Sequence, residues 1–175
     1  MPVRILPYLL VVACACAMLS MAVDACAVDK EYQLKAAFML NFTKFIQWPP
    51  VSGPAAAFRV CVVGENPFED ALSAASGKKI GEKNIEVVHF DKLDQARNCR
   101  MVFVSRSEES ELDVLAERFP DALTVSDIDG FCKDGGLIEL TLRNKRLTFF
   151  INNTAMKERG FKVGSSLLQL AAEVR

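Results

Sequence analysis

The chain has 175 residues, of which 51% are hydrophobic and 25% are charged. These proportions are typical of a globular protein and exclude a disordered one. The formal net charge is −1 and there is no basic run, so we expect no nucleic-acid partner. The single histidine leaves little material for a multi-histidine metal site or for histidine acid–base catalysis. We therefore expect no metal and no other cofactor.

The first segment of the chain has the pattern of an export signal. Arg4 precedes an almost wholly apolar run that ends at Val23, and small residues follow where a signal peptidase cleaves. We predict a signal peptide over residues 1–27, with cleavage after Ala27; an earlier cut after Ala22 is the alternative. A retained membrane anchor is the competing interpretation, because the apolar run is just long enough to span a bilayer.

The segment from Lys35 to Pro50 predicts an amphipathic helix that packs on a core. Pro49 and Pro50 should end this helix, because Pro lacks a backbone N–H and disfavours helical geometry in the residue before it. We expect Phe38, Phe42 and Phe45 to be its buried anchors. The apolar arc contains Leu34, Phe38, Met39, Phe42, Phe45 and Ile46.

Four short apolar runs next predict strands separated by helices or turns. The strands are Phe58–Val63, Ile85–Phe90, Arg100–Ser105 and Leu123–Ser126. The first is followed by a helix that Asn66 caps, with Pro67 at its first position and its end near Ala75. A second helix, capped by Ser107, ends before Pro120. The order strand, helix, strand, strand, helix, strand is that of a doubly wound sheet with parallel core strands.

The pattern changes after the fourth strand. A loop with three glycines, Asp127–Gly136, precedes a predicted antiparallel hairpin of Leu137–Leu142 and Leu147–Asn152 at the sheet edge. Short helices at Asn153–Arg159 and Leu167–Val174 complete the chain. We thus predict one α/β domain over residues 28–175: a mainly parallel sheet flanked by helices, with an antiparallel edge hairpin.

No motif of a known catalytic or nucleotide site is complete. Gly77-Lys78-Lys79 lacks the glycine spacing of a phosphate loop, and Gly64-Glu65-Asn66-Pro67 has an acid and a Pro where a dinucleotide site needs glycines. Asp127-Ile128-Asp129-Gly130 does not continue as a calcium loop. The carboxylates of Asp127, Asp129 and Asp134 remain candidates for acid–base work, supported only by their place in a loop.

Three cysteines remain after the predicted signal peptide. In a doubly wound sheet the first strand neighbours the third, so Cys61 and Cys99 could face each other at bonding distance. A disulfide closing that loop of about forty residues would contribute about 4 kcal/mol. Cys132 in the Gly-rich loop is a free thiol, a dimer bridge or a redox group, and a buried inert thiol is the simplest interpretation.

Several motifs, taken in order, resemble the YfiR family of exported bacterial proteins. The opening signature is Lys35-Ala36-Ala37-Phe38, Asn41-Phe42, Lys44-Phe45 and Trp48-Pro49. Later matches are Cys61 before Gly64 and Pro67-Phe68, Cys99 before an apolar strand, Ser126-Asp127 with Gly130-Phe131, Gly135-Gly136, Ile151-Asn152, and Ser165-Ser166-Leu167-Leu168 with Leu170-Ala171. The resemblance covers nearly all of the mature chain.

This resemblance implies a periplasmic regulator with an α/β sandwich fold that is not an enzyme. The family's namesake represses an inner-membrane diguanylate cyclase through its periplasmic sensor region, and an outer-membrane lipoprotein relieves the repression. The resemblance also implies a disulfide between Cys61 and Cys99. Cys132 matches the first half of a second family disulfide, but the second position, near Glu139, has no Cys.

Two functions from different classes follow as expectations. The first is a non-enzymatic repressor of cyclic di-GMP signalling and biofilm formation. A homodimer of this repressor is a further candidate assembly. Its candidate partner-binding residues are Lys35, Asn41, Lys44, Trp48, Asp127 and Phe131. The second is a periplasmic receptor for a small ligand, with a crevice at strand carboxyl ends lined by Gly64–Pro67 and Ser105–Ser107.

Overall fold

The computed structural model of the protein describes residues 30–50 and 57–175. The predicted signal peptide and its cleavage site lie outside the described residues. Helix α1 covers residues 30–42, and a turn then leads to strand β1, Ile46–Gln47. The prediction that the helix continues to Pro49 is therefore wrong. Ile46 and Gln47 instead pair with Val163 and Lys162 in a small antiparallel sheet, so tertiary pairing overrides the helical periodicity.

A mainly parallel sheet forms the centre of the described structure. Its strands are β2 (Ala57–Val63), β3 (Lys79–Ile80), β4 (Lys83–Phe90), β5 (Met101–Val104), β6 (Leu123–Ser126), β7 (Ile138–Arg143), β8 (Arg146–Ile151) and β10 (Glu173–Val174), while β9 (Lys162–Val163) is the partner of β1. The spatial order is β10-β8-β7-β6-β5-β2-β4-β3. Strand β2 is parallel to both β4 and β5, which confirms the predicted doubly wound arrangement.

The edge of the sheet differs from the prediction, because the last strand, Glu173–Val174, lies outside the predicted hairpin. Strands β7 and β8 form the predicted antiparallel hairpin. Strand β10, however, lies parallel to β8 and takes the edge position from it. The predicted final helix, Leu167–Val174, is correspondingly wrong: helix α5 covers Ser165–Leu170. The chain leaves the helix there because the open side of β8 offers hydrogen-bond partners, as Phe149 O does for the N–H of Ala172.

The helices that cross over the sheet are shorter than predicted. Helix α2 covers only Asp70–Ser73. The segment predicted as a Ser107-capped helix is a kinked 3₁₀ helix, Arg106–Val114, followed by α3, Leu115–Arg118. The hydroxyl of Ser107 does not cap it, because that oxygen accepts a hydrogen bond from the N–H of Glu65 instead. Helix α4, Asn153–Glu158, lies as predicted. A short 3₁₀ turn, Leu93–Gln95, lies between β4 and β5.

The sheet separates two apolar cores, because successive residues of a strand point to opposite faces. Val60 and Val62 of β2 contribute to the core under α1, whereas Cys61 and Val63 contribute to the core under the 3₁₀ helix and α3. From α1, the side chains buried in the first core are those of Ala36, Met39 and Phe42.

The helix α1 does not bury all the aromatic residues assigned to it. Phe42 is buried, and Phe38 is half-buried in edge-to-face contact with Phe42 and Phe149. Phe45 is 39% exposed, so the expectation that it is a buried anchor is wrong. It lies in the turn after the helix has ended, and is therefore no longer on the helical stripe. No helix in the described ranges is both long and apolar enough to cross a membrane.

Candidate functional site

Two of the residues singled out from the sequence form a buried ion pair. The ammonium of Lys35 lies 2.5 Å from Oδ2 of Asp127 and 2.5 Å from Oε1 of Glu31. Glu31 and Lys35 are one turn apart on α1, and Asp127 directly follows β6 at the carboxyl end of the parallel sheet. The exposed fraction is only 3% for Lys35 and 4% for Asp127. The pair therefore attaches α1 to this end of the sheet.

Two further side chains complete this ion cluster, which consists of Glu31, Tyr32, Lys35, Arg106 and Asp127. The hydroxyl of Tyr32 donates to Oδ2 of Asp127 at 2.7 Å, and its ring lies 4.1 Å from the Lys35 ammonium. Burial, followed by this hydrogen bond to Asp127, raises the pKa of Tyr32 well above its usual range. Arg106 donates to the backbone carbonyl of Asp127 at 2.6 Å.

The charges within the ion cluster balance, with two cations against two carboxylates. Nε of Arg106 lies 3.6 Å from the second carboxylate oxygen of Asp127, so both oxygens face a positive group. Such a carboxylate is already fully engaged and is poorly suited to act as a general base. The cluster therefore supports a positioning role for Asp127 rather than a catalytic one.

The remaining α1 candidates divide into an anchor and an exposed surface. Trp48 is half-buried: its Nε1 donates to the carbonyl of Arg100 at 2.8 Å, and its ring packs edge-to-face on Phe58 and Phe161. Lys44 donates to the Asn41 side chain at 2.9 Å, and both are exposed. We use the term exposed α1 surface for the exposed residues Leu34, Ala37 and Asn41 of α1 together with Lys44 and Phe45 of the turn that follows it.

Phe131 lies beneath the Gly-rich loop rather than on its surface. Its side chain is fully buried in the second core. Its ring lies against Gly136 so closely that a Cβ at that position would overlap it. Phe131 thus supports the loop from the inside, and Asp127 fixes the start of the loop through the ion cluster. A direct partner contact by either residue would need a different conformation, and the partner-binding role of the six candidates stays a prediction.

Cys61 and Cys99 form a disulfide bond, with their Cα atoms 5.8 Å apart. Cys61 is buried in the middle of β2, and Cys99 lies two residues before β5 begins. The bond follows from the neighbouring positions of β2 and β5, the relationship on which the sequence prediction rested. It ties the loop before β5 to the central strand.

Cys132 is a buried free thiol. Its Sγ lies 3.7 Å from the carbonyl of Phe150, and its backbone N–H donates to Oε2 of Glu139 at 3.2 Å. Burial, together with the nearby Glu139 carboxylate, raises the pKa of the thiol to about 12. The arrangement favours the inert thiol over a redox group or a dimer bridge, because both of the latter need an accessible thiolate. The structure also places Glu139, where the family resemblance expects a second Cys, beside Cys132.

The two segments expected to line a small-ligand crevice contact each other. The N–H of Glu65 donates to Oγ of Ser107 at 3.0 Å, and Nε2 of His89 lies 2.6 Å from the carbonyl of Gly64. A Cβ at Gly64 would overlap the Ser107 hydroxyl, so the two segments are in direct contact. Across residues 30–50 and 57–175, no group of three or more His, Cys, Asp or Glu side chains could hold a metal ion.

Sequence reasoning missed three members of the ion cluster: Glu31, Tyr32 and Arg106. A signal for one of them was present, because Glu31 and Lys35 have the spacing of an intrahelical ion pair. Nothing in the sequence pointed to Tyr32 or Arg106, since their shared partner, Asp127, lies far from Tyr32 along the chain.

Two solved structures share the fold at low sequence identity. The chain is similar to a conserved domain protein from Vibrio cholerae O1 biovar El Tor, with 12% identity over 67% of this chain and 54% of that one, and a TM-score of 0.51. It is also similar to the ABC domain in complex with L-Trp from Streptococcus pneumonia, with 9% identity over 67% and 55%, and a TM-score of 0.50. The chain spans about half the length of these two structures, and the likeness concerns the fold alone.

A family comparison covers most of the chain. The family model described as YfiR/HmsC-like matches residues 32–172. The match includes the ion-cluster residues from Tyr32 onward, both disulfide cysteines and the Gly-rich loop. The chain belongs to the YfiR/HmsC-like family.

Proposed function

We propose that this protein is an exported, non-enzymatic regulator that represses an inner-membrane signalling protein of the diguanylate cyclase type by binding its periplasmic sensor domain. The observation that carries the proposal is the family match over residues 32–172. The Cys61–Cys99 disulfide supports it, because such bonds persist in oxidising compartments such as the periplasm. Release by an outer-membrane lipoprotein belongs to the same proposal.

Repression of this kind needs a difference in affinity between two states of the sensor domain. A regulator that bound both states equally would not shift the equilibrium between them. Moving the ratio of the two states from 1:99 to 99:1 requires an affinity about 10⁴-fold higher for the favoured state. A rigid contact surface helps, because less conformational entropy is then lost on binding. The ion cluster provides such rigidity, since it fixes α1 to the sheet through buried Lys35 and Asp127.

The exposed α1 surface is the contact that we propose for the sensor domain. It combines two large apolar side chains, Leu34 at 45% exposure and Phe45 at 39%, with the polar pair of Asn41 and Lys44. Exposed apolar side chains interspersed with polar ones are a usual composition of a protein-binding surface. A homodimer that uses the same surface would compete with the sensor domain.

A deletion and two surface variants test this proposal. Deleting the gene should raise cyclic di-GMP, and the tagged protein should co-purify an inner-membrane sensor protein from an envelope extract. The double variant Leu34→Glu, Lys44→Glu should not co-purify the sensor protein and should give the same raised cyclic di-GMP as the deletion. Its melting temperature should equal that of the wild type. Lys78→Glu, at an exposed position that precedes β3, is the matched control and should behave as wild type. Unchanged cyclic di-GMP on deletion, with no sensor protein co-purified, would refute the proposal.

A further inference from the structure

A surface cleft lies on the face of the sheet opposite to α1. One wall is the loop that carries Ala96 and Arg97, and the other wall is formed by the end of the 3₁₀ helix and α3. The cleft is open to solvent and has a volume of about 670 Å³, within the range usual for small-ligand sites. Its lining residues are Ala96, Arg97, Glu111, Val114, Glu117 and Arg118.

Two guanidinium groups in the cleft are held in place by the backbone but keep free donors. Nε of Arg118 donates to the carbonyl of Leu93 at 2.8 Å. Nη1 of Arg97 donates to the carbonyls of Asp94 and Ala96 at 2.5 and 2.9 Å. Within the described part of the chain, neither Arg97 nor Arg118 forms an ion pair. Their remaining N–H groups are available to a carboxylate, which guanidinium binds in a bidentate manner.

The wall formed by the end of the 3₁₀ helix and α3, which also carries Arg118, contributes two carboxylates and an apolar side chain. Glu111 lies at the kink of the 3₁₀ helix, Val114 is the last residue of that helix, and Glu117 lies in α3. All three side chains line the cleft. Among residues 30–50 and 57–175, neither glutamate forms an ion pair. Val114 is 39% exposed. This wall of the cleft therefore combines two carboxylates with an apolar side chain, which suits an ammonium group attached to an aliphatic chain.

The two walls are braced against each other, so the cleft is largely preformed. Arg118 reaches across to the carbonyl of Leu93, and the N–H of Leu93 donates to the Glu108 carboxylate at 3.1 Å. The disulfide at Cys99, two residues after Arg97, ties the same loop to β2. A preformed site loses little free energy to ordering when a ligand binds.

We propose that this cleft binds a short peptide, with the peptide carboxylate on Arg97 and Arg118 and an ammonium group on Glu111 and Glu117. The charge pattern selects against other small ligands. A polyanion such as a phosphate ester would meet both glutamates, and a plain amine would meet both arginines. A peptide places an apolar stretch between groups of opposite charge, which matches Val114 and Ala96. This site is separate from the proposed α1 contact and goes beyond the repressor function.

Isothermal titration of the full exported chain with the tripeptide Ala-Ala-Lys tests the inference. We expect binding, and we expect the C-terminal amide of the same peptide to bind at least about tenfold more weakly, because the arginines lose a charge-assisted partner. Arg97→Gln and Glu117→Gln should each weaken binding of the free peptide by a similar factor. The side chain of Glu117 has no hydrogen bond to lose among the described residues, so its replacement should leave the fold intact.

The matched controls are Lys83→Gln and Glu82→Gln, two exposed positions next to or within β4. Both should bind the tripeptide like the wild type. No binding at millimolar peptide would overturn the inference, and so would equal affinity for the peptide and its amide. Wild-type affinity in the Glu117→Gln variant would overturn the assignment of the ammonium group to the acidic wall. None of these outcomes depends on the repressor proposal, because cyclic di-GMP is not measured.

Discussion

The ammonium of Lys35 lies 2.5 Å from the carboxylate of Asp127, although 92 residues separate the two along the chain. Both side chains are almost fully buried, and the hydroxyl of Tyr32 shares the same carboxylate oxygen. One short contact thus joins the first helix to the residue that opens the Gly-rich loop. It makes the position of α1 depend on the carboxyl end of β6.

The first prediction concerns this ion pair. Lys35→Met should lower the free energy of unfolding by about 3–5 kcal/mol, because Asp127 would remain buried with a lost partner. Combining Lys35→Met with Asp127→Asn should cost less than the sum of the two single changes, since neither of the two buried charges then remains without the other. Urea denaturation of the four proteins measures the coupling. Lys44→Met, on the turn after the same helix but exposed, is the control and should change stability by no more than about 0.5 kcal/mol. Strict additivity of the two changes would show that the pair is not energetically coupled.

The second prediction concerns the disulfide. Replacing Cys61 and Cys99 together by alanine should lower the unfolding free energy by about 4 kcal/mol, because the unfolded chain loses a cross-link that closes a loop of about forty residues. Denaturation with and without a reducing agent gives the measurement. The reductant should weaken the wild type and leave the double variant unchanged. A wild type that is insensitive to complete reduction would contradict this expectation.

The third prediction concerns the reactivity of Cys132. Because its thiol is buried and its pKa is raised to about 12, the folded protein should not react with a thiol reagent at neutral pH. Addition of denaturant should release one reactive thiol from the described part of the chain, since the other two cysteines there are in the disulfide. Rapid labelling of the native protein would indicate that the loop opens.

The same thiol predicts a loss of stability at alkaline pH. The folded pKa is about 12 against an ordinary value of 9.0, so the unfolded chain loses its thiol proton first. The contribution is fully present below pH 9 and decreases as the pH rises from about 9 towards 12. Unfolding free energies measured at pH 8 and about pH 10.5 should therefore differ more for the wild type than for Cys132→Ala. If the change in unfolding free energy between the two pH values were the same for the wild type and Cys132→Ala, the loss of stability at alkaline pH would come from other groups. Tyr32 is one such group, because its pKa is also raised.

The fourth prediction concerns the contact beneath the Gly-rich loop. Gly136→Ala should destabilise the protein by about 1–3 kcal/mol, because the new methyl group would overlap the ring of Phe131. The backbone at Gly136 does not have the positive φ found at Gly135, so the effect is steric rather than conformational. Adding Phe131→Leu to Gly136→Ala should recover part of the loss in thermal unfolding. If the destabilisation of the double variant equalled the sum of those of Gly136→Ala and Phe131→Leu measured separately, the ring of Phe131 would be excluded as the cause.

The sequence predicted those parts of the fold that local patterns encode. Strands β2, β4, β5 and β6 were recognisable as apolar runs, and the β7–β8 hairpin as two runs about a polar turn. The two-residue strands β1 and β10 were not, because such short segments have no periodicity of their own. They become strands only where the chain passes a free backbone edge, that of β9 for one and of β8 for the other.

By itself, the sequence determined the doubly wound arrangement of the central parallel strands, the proximity of Cys61 and Cys99, and the family resemblance, because each depends on residue types in a fixed order along the chain. Only the tertiary structure decided how the polar side chains pair. Lys35 could have faced solvent on an amphipathic helix, and burial with Asp127, Glu31 and Tyr32 is what makes it part of the core. Such pairing depends on distances between elements far apart in sequence, which helical and strand periodicity do not contain.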